Sequence, residues 1–114
     1  RLFTDTPTPT FECNSLDVAT NNFGLITADE IVLSGGKYSE VNSAFYLNNN
    51  MVYWAGSPHD FVGSISWFFV LDPISGLDLD AVDDRLVAAR GVVSLSSESK
   101  LLGSGTYNDV YTVN

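Results

Sequence analysis

Cysteine, histidine and lysine are nearly missing from this chain. One cysteine and one histidine stand among 114 residues, and Lys37 and Lys100 are its two lysines. A lone Cys13 closes no disulfide within the chain, so this is not a disulfide-stapled miniprotein and the core must carry stability alone. One His and one Cys do not fill a zinc site with nitrogen and sulfur ligands. So few bases provide no basic amphipathic helix for a lipid surface. Fourteen acids against five bases leave a formal charge of −9. That charge repels a phosphate backbone and argues against nucleic-acid binding through a basic face. No apolar run reaches the ~20 residues of a membrane span. The longest, Phe61–Leu71, is interrupted by Gly63, Ser64 and Ser66. No cofactor motif is present, and neither a cofactor nor a metal is expected.

What is plentiful is apolar and aromatic. Hydrophobic residues make up 45% of the chain and charged residues 17%, enough to build one packed domain and too little charge for a disordered one. Pro7, Pro9 and the threonines around them predict an extended, proline-stiffened arm over residues 1–10. A single β-rich domain is expected over residues 11–114. The chain opens on Arg1 rather than Met, as a processed mature form or a fragment would, and export, to a secreted or cell-surface location, is the expectation. The acidic surface is read as a solubilising one.

Short bounded runs rich in aromatic and β-branched residues predict strands. Phe11–Val18 is the first, followed by an Asn21-Asn22 turn. Phe23–Thr27 and Glu30–Ser34 read as a strand pair joined at Ala28-Asp29 and ended by Gly35-Gly36. Ala44–Leu47 and Met51–Ala55 read as a hairpin across Asn48-Asn49-Asn50, since asparagine tolerates left-handed backbone. Phe61–Leu71 reads as one long central strand. Asp72-Pro-Ile-Ser-Gly76 reads as a turn that Asp72 caps with its side chain. Beyond it, Leu79, Val82, Leu86 and Ala89 fall at helical spacing. Ser75 and Asp78 have the spacing of a capping box, and Gly91 suits a C′ position. These predict one short helix near 77–90; a competing reading pairs Arg85–Ala89 with Val92–Leu95 as strands. Val92–Ser96 and Tyr107–Val113 read as further strands, with a turn at Gly103-Ser-Gly105. The fold class expected is mainly β, a compact antiparallel sandwich or barrel.

Three constellations bear on chemistry. His59-Asp60 is the one His–carboxylate neighbour pair, with Ser57, Ser64 and Ser66 nearby in sequence. Neighbours on a strand seldom face each other, and no Gly-x-Ser-x-Gly elbow is present, so no catalytic residue is assigned. Asp29-Glu30 is an acidic pair of the kind that could serve a small hydrolase, and Asp72, Asp78, Asp80, Asp83 and Asp84 could attract calcium, but without EF-hand spacing. The aromatics carry more. Tyr46, Tyr53 and Trp54 are the candidate ligand-binding residues, because rings with polar tips stack on sugars or anchor protein partners. Tyr53 and Trp54, adjacent on a strand, must point to opposite faces. Trp67, sharing a face with Ile65 and Phe69, is read as core.

The run Ala44-Phe-Tyr-Leu-Asn-Asn-Asn-Met-Val-Tyr-Trp-Ala-Gly56 resembles a passage in small secreted fungal cell-wall proteins of the PhiA type, where an FYL strand, a polar turn and an aromatic strand form a hairpin. Asp109–Val113 is similar to their C-terminal strand. The resemblance implies a secreted, β-rich, non-enzymatic wall or surface protein, and no functional residue carries over from it. The expected function is accordingly a non-enzymatic surface or cell-wall protein that binds a glycan or a protein partner. The alternatives are a self-assembling structural subunit, a homo-oligomer of a filament, coat or wall layer, and a small hydrolase.

Overall fold

A computed structural model describes Pro9 and residues 23–84, 86–104 and 108–114. The expected arm at 1–10, the strand at 11–18, the turn at 21–22 and Cys13 lie outside these residues, Pro9 apart. The chain runs β1 (Gly24–Leu25), α1 (Ala28–Leu33), β2 (Tyr53–Val62), β3 (Ile65–Asp72), β4 (Gly76–Ala81), β5 (Gly91–Val92), β6 (Leu101–Leu102) and β7 (Thr112–Val113). The protein is mainly β, and every strand pair is antiparallel: β1 with β5, β2–β3–β4 as a meander, and β6 with β7. No barrel closes among the described residues. Among the described residues no helix is long and apolar enough to cross a membrane.

The meander follows from turn chemistry and alternation. Gly63, at φ +67°, turns β2 into β3. Glycine reaches that angle without the clash a Cβ would bring. The run Phe61–Leu71 is therefore split between two strands rather than forming one, with Phe61 opposite Ser66 and Val62 opposite Ile65. The second turn is as expected: Asp72 Oδ1 accepts from the backbone N–H of Ile74 (2.6 Å) and Ser75 (3.2 Å). Gly76 then takes φ +84° and sends the chain straight back along β3.

That return corrects the expected helix near 77–90. Leu77, Leu79 and Ala81 pair with Leu71, Phe69 and Trp67, so the segment begins as strand β4. Its period-two pattern meets a ready partner edge, and pairing overrides the weaker helical spacing. The competing strand at 85–89 begins outside the described residues, and of 86–89 only Ala88 pairs, bridging Tyr53 in parallel.

The helix lies earlier, where a strand pair was expected. Thr27 Oγ1 accepts from Glu30 N–H, and the Glu30 carboxylate accepts from Thr27 N–H at 2.8 Å, a complete capping box. Ser57 Oγ on β2 accepts from Ala28 N–H at 2.9 Å and ties this helix start to the sheet. The expected hairpin at 44–55 also differs. Residues 44–47 are turns, and the strand begins at Tyr53. Of the expected later strands, Gly91–Val92 and Thr112–Val113 are in ladders among the described residues, the latter with Leu101–Leu102.

The core gathers Ala28 and Ile31 of α1, Phe45, Tyr53 and Ala55 of β2, Phe69 and Leu71 of β3, and Leu77 of β4. It sits between the helix and one face of the meander.

Candidate ligand-binding face

The β3–β4 register sorts the meander into two faces. Tyr53, Leu71 and Leu77 share a row on the core side, as do Phe69 and Leu79. Alternation sends the intervening residues the other way. There Trp54, Val70 and Asp78 form one row, and Phe68 and Asp80 the next. The Trp54 and Phe68 rings meet edge to face, 6.5 Å between centroids at 86°. Val70 between them is buried, and Trp54, Phe68, Asp78 and Asp80 are each half-buried. Such rings hold their positions and keep part of their surface in water.

The two carboxylates stand two residues apart on β4, on the same side as the rings. Asp78 Oδ1 accepts from Leu79 N–H at 2.8 Å, and Asp80 Oδ1 from Ala81 N–H at 2.7 Å. Each bond fixes one oxygen against the backbone. The second oxygen of each makes no further bond among the described residues. An apolar ring surface beside acceptors suits a ligand with C–H faces and hydroxyl or amine donors.

The three residues singled out from sequence do not share this face. Trp54 belongs to it. Tyr53 is 1% exposed, so it is a core residue and offers no surface ring. Its hydroxyl donates to Leu47 O at 2.9 Å, the Arg90 guanidinium lies 5.4 Å from its ring centre, and Arg90 Nη1 donates to the same carbonyl at 3.3 Å. Tyr53 and Arg90 thus hold the 45–48 turn against the core. Burial raises the Tyr53 phenol above its ordinary value, with Tyr46 adding slightly and Arg90 opposing. Tyr46 is 73% exposed and packs edge-on against Phe45, 5.4 Å between centroids. Phe68 was not singled out from sequence, and Asp78 and Asp80 were considered only for calcium. Their signal was the period-two alternation of Ser66–Asp72 and Leu77–Ala81, masked by reading the second segment as a helix.

The other constellations resolve into local roles. The His59 ring packs edge-on to Phe69, 5.7 Å away. Asp60 Oδ1 accepts from Phe61 N–H of its own strand, and Ser57 Oγ is engaged by α1. Asp29 and Glu30 are the first turn of α1. Among the described residues no three His, Cys, Asp or Glu side chains gather as metal ligands. Asp72 caps a turn, while Asp78 and Asp80 lie on the sheet face.

The chain matches no protein-family model, no curated protein and no solved structure.

Proposed function

We propose that this is an exported, non-enzymatic surface or wall protein that acts by binding a glycan or a protein partner through the Trp54–Phe68 face. The observation that carries the reading is the pairing of two fixed aromatic rings with Asp78 and Asp80 on one side of a three-stranded sheet. Rings stack on the C–H surface of a sugar or on an apolar side chain, and the carboxylate oxygens accept its hydroxyl or amine donors.

A glycan array with the intact chain tests it, followed by titration of any hit with Trp54→Ala, Asp78→Asn and Asp80→Asn. Loss of the hexose-stacking ring is expected to weaken binding by about 1–3 kcal/mol, the usual scale of a buried aromatic contact. A hit whose affinity is unchanged in all three variants would move the site elsewhere.

A further inference from the structure

We infer that the occupant of the Trp54–Phe68 face is cationic: an extended segment of a protein partner with lysine or arginine at alternate positions. Such a partner narrows the binding-face reading above, on which it rests, from a glycan or a protein to a basic peptide.

The two rings meet at 86°, with 6.5 Å between their centroids. An edge set against a face makes a corner rather than a platform. A hexose stacks its C–H surface on an open, flat ring, and here the edge of one ring occupies a face of the other. Two aromatic walls at a right angle suit a compact cation instead, because both ring faces attract it.

The charges beside the rings favour the same occupant independently. Asp80 stands directly across the ladder from Phe68, and Asp78 across from Val70, which pairs on its other side with Trp54. Each row that bears a ring therefore ends in a carboxylate. Among the described residues no salt bridge reaches either one. Lys37 is paired with Glu40, and Arg90 is held at Leu47 O and over the ring of the core residue Tyr53. Residues 72–84 hold five aspartates and no lysine or arginine. A chain of net charge −9 also draws a basic partner toward it over distance.

Spacing gives the partner its form. Alternate side chains of an extended backbone point the same way, about 7 Å apart. Asp78 and Asp80 are such a pair on β4. They match two basic residues at positions i and i+2 of a second extended segment. The apolar stems of those residues lie along Trp54 and Phe68 while their charged heads reach the carboxylates.

Isothermal titration of the full chain with a short peptide that alternates threonine and lysine tests this, at low and at physiological salt. Binding that weakens with salt is expected. Asp78→Asn and Asp80→Asn are each expected to weaken it about fivefold or more. Asparagine keeps an Oδ1 acceptor for the Leu79 and Ala81 N–H groups, so the backbone bonds survive. Trp54→Leu is expected to act in the same direction, and the two asparagine variants keep the test open should it unfold. Asp83→Asn and Asp84→Asn remove the same charge beyond the face and are expected to change affinity less than about twofold at physiological salt. A peptide with serine for lysine is expected not to bind, and one with its lysines in a single block to bind more weakly. Equal affinity for the blocked peptide, or for the Asp78, Asp80 and Trp54 variants, would leave only diffuse charge attraction and overturn the inference. Neutral oligosaccharides form the contrasting arm. A neutral glycan bound through Trp54, with no binding of the lysine peptide, would overturn the cationic partner and leave the binding face standing. A face that takes neither peptide nor glycan supports neither.

Discussion

At the scale of single residues, two positions bear the fold's strictest demands. Gly76 sits at φ +84° with Glu40 O where a Cβ would stand at 2.1 Å and Lys37 O at 2.7 Å. The crowding atoms are backbone, anchored by the Leu77 N–H to Lys37 O and Ser39 N–H to Leu77 O bonds, so they yield little. Gly76→Ala is expected to destabilise the protein by at least about 2 kcal/mol in urea unfolding, adding a clash to the strain of a left-handed backbone. Tyr53 is the second. Tyr53→Phe leaves the ring packed and removes its bond to Leu47 O, which Arg90 still partners, so a loss of about 1 kcal/mol is expected. The raised phenol also sets a pH dependence. The folded state holds the proton more tightly than the unfolded chain, whose value is near 10.0. This contribution is full below that value and is lost as pH rises through the folded value. Urea midpoints measured between neutral and strongly alkaline pH are expected to fall more steeply for wild type than for Tyr53→Phe. Parallel curves would refute the assignment.

At the scale of elements, α1 illustrates how a short cap outweighs composition. Ile31, Val32 and Leu33 favour a strand in isolation, but the Thr27–Glu30 box satisfies the helix start and Ser57 docks it. A six-residue helix has little intrinsic stability, so packing of Ala28 and Ile31 and the cap sustain it together. Thr27→Ala is expected to cost about 1 kcal/mol, read as faster amide exchange of residues 31–34 with the β3 amides unaffected. The Thr-x-x-Glu spacing was visible in the sequence, and the apolar run behind it pointed the other way. The β4 segment is the converse case. Its alternation of Leu77, Asp78, Leu79 and Asp80 was equally visible, but only the return at Gly76 supplied the β3 edge that decided between strand and helix. The Trp54–Phe68 face depended on that same decision, so half of the candidate site was hidden with it.

At the scale of the whole molecule, a modest core coexists with a large exposed apolar complement. Among the described residues eight buried side chains form the core cluster, while Phe61, Ile74, Leu86 and the C-terminal hairpin remain in water. Net charge of −9 keeps such molecules apart near neutrality. The sequence isoelectric point is near 4.1. Light scattering on lowering the pH at low salt is therefore expected to rise sharply as that point is approached. A solution that stays clear there would mean that charge is not what separates the copies.

The sequence by itself determined the mainly β class and the turn at Asp72–Gly76. Strand-forming runs, the Asp72–Gly76 stop and the scarcity of bases act locally or through composition, and neither requires knowing what lies across the fold. The tertiary structure alone decided which of two adjacent aromatics entered the core, whether 77–81 became strand or helix, and which carboxylates joined Trp54. Those outcomes turn on pairing partners and on burial from the far side of a sheet, and a linear pattern carries neither.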